Sequence, residues 1–476
     1  MKMKIQKRLI EFPKTSGILI PSKYQKEDFY QNIKNDLTRL SVDWQDPSLK
    51  IKQEYFYEAE DYLLIPRNFP IKDFCDEIEI KNMLPKGKDI EINHNIIPRS
   101  EVQKTSIDYM LKNENCILQL DPGVGKTVIA IYVISMLKKR SLIIAHRDSL
   151  VEQWMNRILE FTDCKKEDIM RLTSNNYKEG INKKIMVTTV QTILSLLRRD
   201  KEEFIKSLIE MKLGILIADE IHISVGAYEF SKCSLWIPSY RSYGLSATPY
   251  RYDGNTDIIK YHLGETFQGE DLENTINPTV NILLLDYNIY TEKRVRYLMW
   301  GGQFQRSRYL NLMKKSVQFL SLSKTLIDKL KEKRKIIFVA ERIKLLDFMY
   351  EIIEGDKGKF YGPGGLENMD NKITFATPGK VRDGIDKPEK DCLIMTSPIK
   401  NINQISGRIS RTFKDKMNAE IYDIVDIGCR FIYQTLFQRI KYYESKKWDI
   451  NFIVCFQDGK TEKVTKNDAI KILGRK

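Results

Sequence analysis

No apolar run in this chain approaches the roughly 20 residues a membrane span needs, so none is expected to cross a bilayer. The opening MKMKIQKRLIEF lacks the apolar core of a secretory signal, and export is not expected either. The seven cysteines (75, 116, 164, 233, 392, 429 and 455) are scattered, odd in number and form no C-x-x-C pair. The four histidines stand apart from them. A disulfide framework and a structural zinc site are therefore disfavoured, and a reducing cytoplasm is the expected compartment. Residues 1–95 also lack a P-D…(D/E)-x-K constellation, which argues against an attached nuclease.

Charge, by contrast, is abundant and unevenly placed. Residues 1–95 hold 16 basic and 16 acidic side chains, and 96–275 hold 24 of each. Residues 276–476 hold 38 basic and 24 acidic, so the whole net charge of +14 lies in the last part of the chain. A polyanion partner for that part is one reading; a lysine-rich solvated surface is the other.

At 476 residues the chain has room for two or three domains. Residues 1–95 read as a small α+β module, with strands at 17–20, 54–57 and 62–67 and helical spacing over 28–40. From 96 to 275, apolar runs at 116–120, 142–145, 185–188 and 214–218 alternate with helical stretches, as in an open α/β sheet. The pattern restarts in 276–476, with strands expected at 281–285, 336–339, 373–376, 392–395 and 420–426. A short hairpin and a helical tail are expected over 447–476. The fold class is thus α/β, with two tandem lobes of parallel sheet behind a small N-terminal domain.

Three segments carry the chemistry. Asp121-Pro-Gly-Val-Gly-Lys-Thr127 follows an apolar strand and opens a helix, the context of a phosphate loop. Gly123, Val124 and Gly125 would bring backbone N–H groups to phosphates. Lys126 would reach the β and γ phosphates, and the Thr127 hydroxyl would reach Mg²⁺. The loop departs from the strict G-x-x-x-x-G-K-T pattern, because Leu120 stands where the first glycine would be. Asp219-Glu220 ends the strand at 214–218; there Asp219 can hold Mg²⁺ and Glu220 can polarise an attacking water. Gln404, Arg408 and Arg411 share a helix face by spacing, and arginines there could clamp a γ-phosphate, worth roughly 10³–10⁵ in rate in other NTPases. His222 either couples this site to a second lobe or simply packs. Ser246 and Thr248, in Ser-Ala-Thr-Pro, either link phosphate to nucleic acid or sit in a turn set by Pro249.

In this order the motifs resemble the superfamily 2 helicases, over about 99–445. AHRDSLVEQW (145–154), VTTVQT (187–192), DEIH (219–222), SATP (246–249), IIFVAER (336–342), TFATPGKVRDGID (374–386) and QISGRISR (404–411) stand where successive helicase motifs would. LVEQW, GLSATPYRYDG and EIYDIVD are most similar to the branch that holds the UvsW-, RecG- and XPB-like motors and the poxvirus transcript-release helicase. The resemblance implies two RecA-like lobes, a helicase ATP-binding lobe over 96–275 and a basic C-terminal lobe over 276–476, working with ATP and Mg²⁺. It implies that Arg99 and Gln103 read adenine, that Gly384 and Asp386 lie near the nucleotide, and that Thr377 touches DNA.

Phosphate contacts of a translocating motor fit any sequence. The candidates are Arg147, Thr189 and Gln191 in the first lobe, and 293–315 in the second, with Arg294, Arg296, Arg306 and Arg308 among interleaved aromatics. That segment is equally readable as an amphipathic helix with core aromatics. A second candidate is the stretch holding Arg439, Lys441, Tyr442 and Tyr443, equally readable as packing. The expectation is a monomeric, phage- or virus-type DNA helicase or translocase of the host cytoplasm. It would move 3′→5′ and remodel forks and junctions in replication, recombination or repair. The alternative is a transcript-release or RNA helicase motor.

Overall fold

The computed structural model describes residues 10–42, 50–121, 123–221, 227–247, 255–269, 277–300, 303–384, 389–396, 398–399, 402, 405–406, 409–410 and 416–474. The chain divides into two compact units, Met1–Leu120 with Val124–Asp271, and Asp121–Gly123 with Leu272–Lys476.

The first unit is built on a seven-stranded sheet in which every neighbouring pair is parallel. Its order is Ile169–Arg171, Ile185–Thr189, Ser141–Ala145, Ile215–Asp219, Arg241–Ser246, Asn115–Leu120 and Thr266–Gly269. Strands Ser141–Ala145, Ile185–Thr189 and Ile215–Asp219 are buried at every position. They are covered on both faces, which is why they read as unbroken apolar runs rather than as an alternation. Helices Lys126–Leu137 and Asp148–Phe161 pack into the core that contains Leu118, Ile143 and Ile217.

Residues 10–82 form a separate five-stranded sheet, in the order Tyr57–Glu58, Tyr62–Ile65, Ile18–Pro21, Ile10–Lys14 and Ile78–Asn82. It does not close its core alone. Phe12, Ile18, Tyr30, Ile33 and Leu63 share one buried cluster with Ile117, Ala218, Ile221, Ile258 and Leu263 of the larger sheet and its helix Thr256–Leu263. Arg67, 2% exposed, fastens the two. Its guanidinium donates to the carbonyls of Ile237 (2.6 Å) and Ser239 (2.7 Å) and to the hydroxyls of Ser239 (3.1 Å) and Ser242 (2.7 Å). Burial pulls its pKa down to about 10.

The helix expected over 28–40 stops at Asp36. Leu37 leaves the helical conformation, Thr38 donates its hydroxyl back to the Lys34 carbonyl, and Thr38–Val42 pairs antiparallel with Lys50–Glu54. The T-R-L-S-V run, with Thr and Val at its ends, suits a ribbon better than a helical turn.

The second unit holds an eight-stranded sheet, in the order Lys357–Phe360, Ile373–Ala376, Ile336–Val339, Cys392–Met395, Glu420–Asp426, Thr279–Leu285, Ile450–Cys455 and Thr461–Val464. All pairs are parallel except the last, which is the expected hairpin; helix Lys466–Gly474 follows it. Two clusters of buried residues, around Leu284 and Phe338, cover the faces of this sheet.

Candidate functional site

Strand Asn115–Leu120 delivers the loop that ends in helix Lys126–Leu137. Gly123 (φ 97°) and Gly125 (φ 93°) both take left-handed backbone, a region glycine enters without penalty. A Cβ on Gly125 would lie 2.9 Å from the Gln103 amide nitrogen, so the loop is also tight there. Leu120 is fully buried as the last residue of the strand. Its place in the core explains why no glycine is needed at that position. Its carbonyl accepts from Lys126 Nζ at 2.9 Å. The helix has no acidic residue in its first turn and no side-chain cap at Gly125. Its N-terminal N–H groups suit an anion, and the fit to a nucleotide phosphate is chemical as well as positional.

Gln103, on helix Glu101–Lys112, joins this loop to the segment before it. Its amide donates to the Val124 carbonyl (2.6 Å) and accepts from the Arg99 backbone N–H (2.7 Å). The Arg99 side chain is exposed. The structure therefore brings Arg99, Gln103, Val124, Gly125, Lys126 and Thr127 into one neighbourhood.

Asp219 ends strand Ile215–Asp219, two strands away from Leu120, with Arg241–Ser246 between them. All three strands run in the same direction, so Leu120, Ser246 and Asp219 share the carboxyl edge of the sheet, where α/β folds place ligands. Asp219 is 8% exposed. One of its oxygens accepts from Trp154 Nε1 (2.7 Å) and the other from the Glu220 N–H (2.9 Å). Burial, and then the Glu220 carboxylate, push Asp219 up to about 7, against the pull of Trp154 and Lys126. Two crowded carboxylates beside a lysine make a donor set that a divalent cation would relieve. Glu220 itself has φ 47°, a left-handed conformation uncommon for a side-chain-bearing residue. Ser246 is fully buried.

Trp154 was not among the sequence candidates for the site, although LVEQW contains it. Leu150, Val151, Trp154 and Ile158 form the buried stripe of helix Asp148–Phe161, and that periodicity is visible in the sequence. Which of those core side chains aims a donor at the carboxylate is set by strand order.

His222, Thr248, Asp386, Gln404, Arg408 and Arg411 lie outside the described residues. Gly384 is the last residue of helix Pro378–Gly384. Thr377 directly follows strand Ile373–Ala376, and its carbonyl accepts from the Val381 N–H.

Arg147 and Gln191 are exposed beyond strands Ser141–Ala145 and Ile185–Thr189. Thr189 is 7% exposed and caps helix Val190–Arg199, its hydroxyl accepting from the Thr192 N–H at 3.2 Å.

In the second unit, 293–315 is not one helix. Helix Glu292–Leu298 leads into paired strands Met299–Trp300 and Gln303–Phe304, and helix Arg306–Leu312 follows. The aromatics divide. Tyr309 is buried, its hydroxyl 2.9 Å from Asp426, whereas Trp300 is 67% exposed. Arg308 lies over the rings of Tyr297 (5.1 Å) and Trp300 (5.2 Å). Arg306 pairs with Glu341 and donates to the Pro398 carbonyl at 3.2 Å. Arg294 reaches the Ile289 carbonyl (3.2 Å), and Arg296 is exposed.

Within the stretch from Arg439 to Tyr443, packing is the outcome for Arg439 and Tyr443, while Lys441 is exposed. Arg439 is 2% exposed and Tyr443 fully buried. Arg439 donates to Asp423 at 2.7 and 3.1 Å, to the Ile399 carbonyl at 2.9 Å and to the Thr435 hydroxyl at 3.0 Å. An inward-facing arginine with a carboxylate partner holds the core and is not open to a phosphate.

The family described as "Type III restriction enzyme, res subunit" matches residues 88–251, the stretch that holds the loop, Asp219-Glu220 and Ser246. A putative ATP-dependent RNA helicase of Acanthamoeba polyphaga mimivirus is 25% identical over 91% of this chain and 85% of its own length. The XPB helicase/translocase subunit of the general transcription and DNA repair factor IIH of Antonospora locustae is 25% identical over 79% of this chain and 56% of its own. Among solved structures, T4 UvsW covers 94% of this chain and 99% of its own, at 16% identity and a TM-score of 0.39. Among the described residues no helix is long and apolar enough to cross a membrane. The family match spans the loop and both acidic residues, and helicase relatives align along most of the chain, so in sequence this chain is similar to superfamily 2 helicases that include the XPB-like motors.

Proposed function

We propose that the chain is an ATP-dependent DNA helicase or translocase that moves 3′→5′ and remodels forks and junctions in replication, recombination or repair. The observation that carries the ATP-driven part is the convergence of the loop before Lys126, of Ser246 and of Asp219-Glu220 on one edge of a parallel sheet. In this reading 1–95 is an accessory domain, 96–275 the ATP-binding lobe and 276–476 the C-terminal lobe. Arg99 and Gln103 face the base; Gly123, Val124, Gly125 and Lys126 take the phosphates. Thr127 and Asp219 hold Mg²⁺, which when bound offsets phosphate charge and acts as a Lewis acid. Glu220 accepts the proton of the attacking water, and Trp154 holds the Asp219 carboxylate in one orientation. Gln404, Arg408 and Arg411, with Gly384 and Asp386, serve the nucleotide from the C-terminal lobe. His222, Ser246 and Thr248 couple hydrolysis to nucleic acid.

The DNA assignment is supported by the location of the net positive charge in 276–476. Arg147, Thr189, Gln191 and Thr377, with Arg294, Arg296, Arg306 and Arg308, are the proposed contacts. Trp300, exposed beside Arg308, is suited to stack on a base. A second reading, an RNA helicase or transcript-release motor, is favoured by the mimivirus relative, which is named an RNA helicase. One experiment separates them: ATP turnover with single-stranded DNA, duplex, fork, four-way junction and RNA as alternative effectors. Strongest stimulation by fork or junction supports the first reading, and strongest stimulation by RNA replaces it with the second.

A further inference from the structure

The N-terminal module packs against the larger sheet of the first unit beside Asp219-Glu220. Tyr55 lies just after strand Lys50–Glu54 and is 1% exposed. Its ring meets Tyr228 edge-on, with centroids 5.5 Å apart and planes at 80°. Its hydroxyl accepts from the Asn255 side-chain amide at 3.3 Å and donates to Gln53 at 2.8 Å. Tyr228 is nine residues beyond Asp219, and Asn255 is nine residues beyond Ser246. One side chain of the module therefore contacts both Tyr228, downstream of Asp219, and Asn255, downstream of Ser246.

Asn255 makes the arrangement more specific. It precedes helix Thr256–Leu263, a position where asparagine ordinarily caps the helix with its own side chain. Here no side-chain cap is made, and the Asn255 amide reaches Tyr55 instead. The module also backs the acidic strand directly, because Ala218 and Ile221, flanking Asp219-Glu220, belong to the same buried cluster as Phe12, Tyr30, Ile33 and Tyr55.

We propose that Tyr55 is a positioning residue for ATP turnover, so that residues 10–82 are part of the hydrolytic machinery and not only a substrate-choosing appendage. Tyr55 touches no nucleotide. It ties Tyr228 to Asn255 and packs in one cluster with Ala218 and Ile221, and through that packing it sets how well Asp219-Glu220 and Ser246 are aligned for hydrolysis. The inference rests on the proposed ATP site.

The test uses the full chain and compares wild type with Tyr55→Phe, Asn255→Ala and a control, Ile33→Val, which trims the same cluster away from Tyr55. Each is assayed for kcat and KM for ATP, with and without DNA, alongside the thermal unfolding midpoint. Both Tyr55→Phe and Asn255→Ala break the Asn255–Tyr55 hydrogen bond, and each should lower kcat about three- to tenfold. KM should stay within about twofold, because the phosphate loop is untouched. The double variant should lose no more than the worse single, since both remove one link. Ile33→Val should keep kcat at an equal or larger drop in midpoint. Wild-type kcat in both single variants, or an equal loss in Ile33→Val, overturns the proposal while leaving the ATP site standing. A wild-type chain without ATP turnover overturns the site and this inference together.

Discussion

Arg439 and Asp423 offer the sharpest test of how the second unit is built. The pair is fully enclosed, at 2% and 1% side-chain exposure, with a contact of 2.7 Å. Replacing Arg439 by Met keeps much of the volume but removes four hydrogen bonds. Asp423 is then left buried with the Tyr443 hydroxyl, at 3.2 Å, as its remaining hydrogen-bond donor of this cluster, and the Ile399 carbonyl loses this donor. Breaking a buried pair by removing one partner costs about 3–5 kcal/mol, whereas replacing both partners with apolar groups is often close to neutral. The expected order of stability in urea unfolding is therefore wild type near Arg439→Met/Asp423→Leu, with Arg439→Met alone about 3–5 kcal/mol lower in the transition of the second unit. Nucleic-acid affinity provides the complementary reading. A buried arginine releases no counterion, so the double variant should keep the wild-type salt slope. If Arg439→Met unfolded like wild type while its salt slope dropped by about one unit, the side chain would be an exposed phosphate contact and the packing argument would be wrong.

Three further outcomes are expected. Lys126→Ala should abolish ATP turnover while leaving nucleic-acid binding measurable in an anisotropy titration; retained turnover rejects the phosphate-loop assignment. Trp154→Phe keeps a ring in the core but removes the donor to Asp219. Hydrogen bonds to charged groups contribute about 1.5–3 kcal/mol, so kcat at saturating Mg²⁺ and ATP should fall roughly tenfold or more, and an unchanged kcat would show that Asp219 needs no such restraint. Asp426 is pushed up to about 6 by burial, against the hydrogen bonds it accepts from Tyr290, Tyr309 and the Gly428 N–H. The folded carboxyl thus keeps its proton to higher pH than the unfolded one. Its contribution to stability is full below about pH 4 and is lost as pH rises through 6. At about 1.36 kcal/mol per pKa unit, the advantage of wild type over Asp426→Asn should shrink by about 2–3 kcal/mol between pH 4 and 7 in paired denaturation curves, and a flat difference would contradict it.

Why some of this was legible in the sequence and some not follows from where each interaction partner sits along the chain. The strands at 336–339, 373–376 and 392–395 matched residue for residue, because a strand covered on both faces needs apolar side chains at consecutive positions and so marks its own ends, and 420–426 matched although acidic residues interrupt it. Edge strands such as Ile169–Arg171, Thr266–Gly269 and Lys357–Phe360 carry no such run and went unread. The proposed phosphate loop was legible for a local reason, since its glycines, lysine and threonine lie within a few residues of one another. Trp154 and Arg439 were read only as motif context or as a basic patch, because what decides their roles lies far off in sequence. Asp219 is 65 residues from Trp154, and Asp423 is 16 from Arg439. Composition counts Arg439 among the basic residues, but strand order turns it inward onto Asp423, and burying the pair leaves the excess of 276–476 at +14. Arg306, paired with Glu341, likewise leaves that excess unchanged. Arg308 lies over the exposed Trp300, and Arg296 is exposed. The N-terminal module shows the same dependence on distance. Tyr55, Arg67 and Phe12 form no motif, and their meaning appears only when the sheet of residues 10–82 lies against the strand that ends in Asp219.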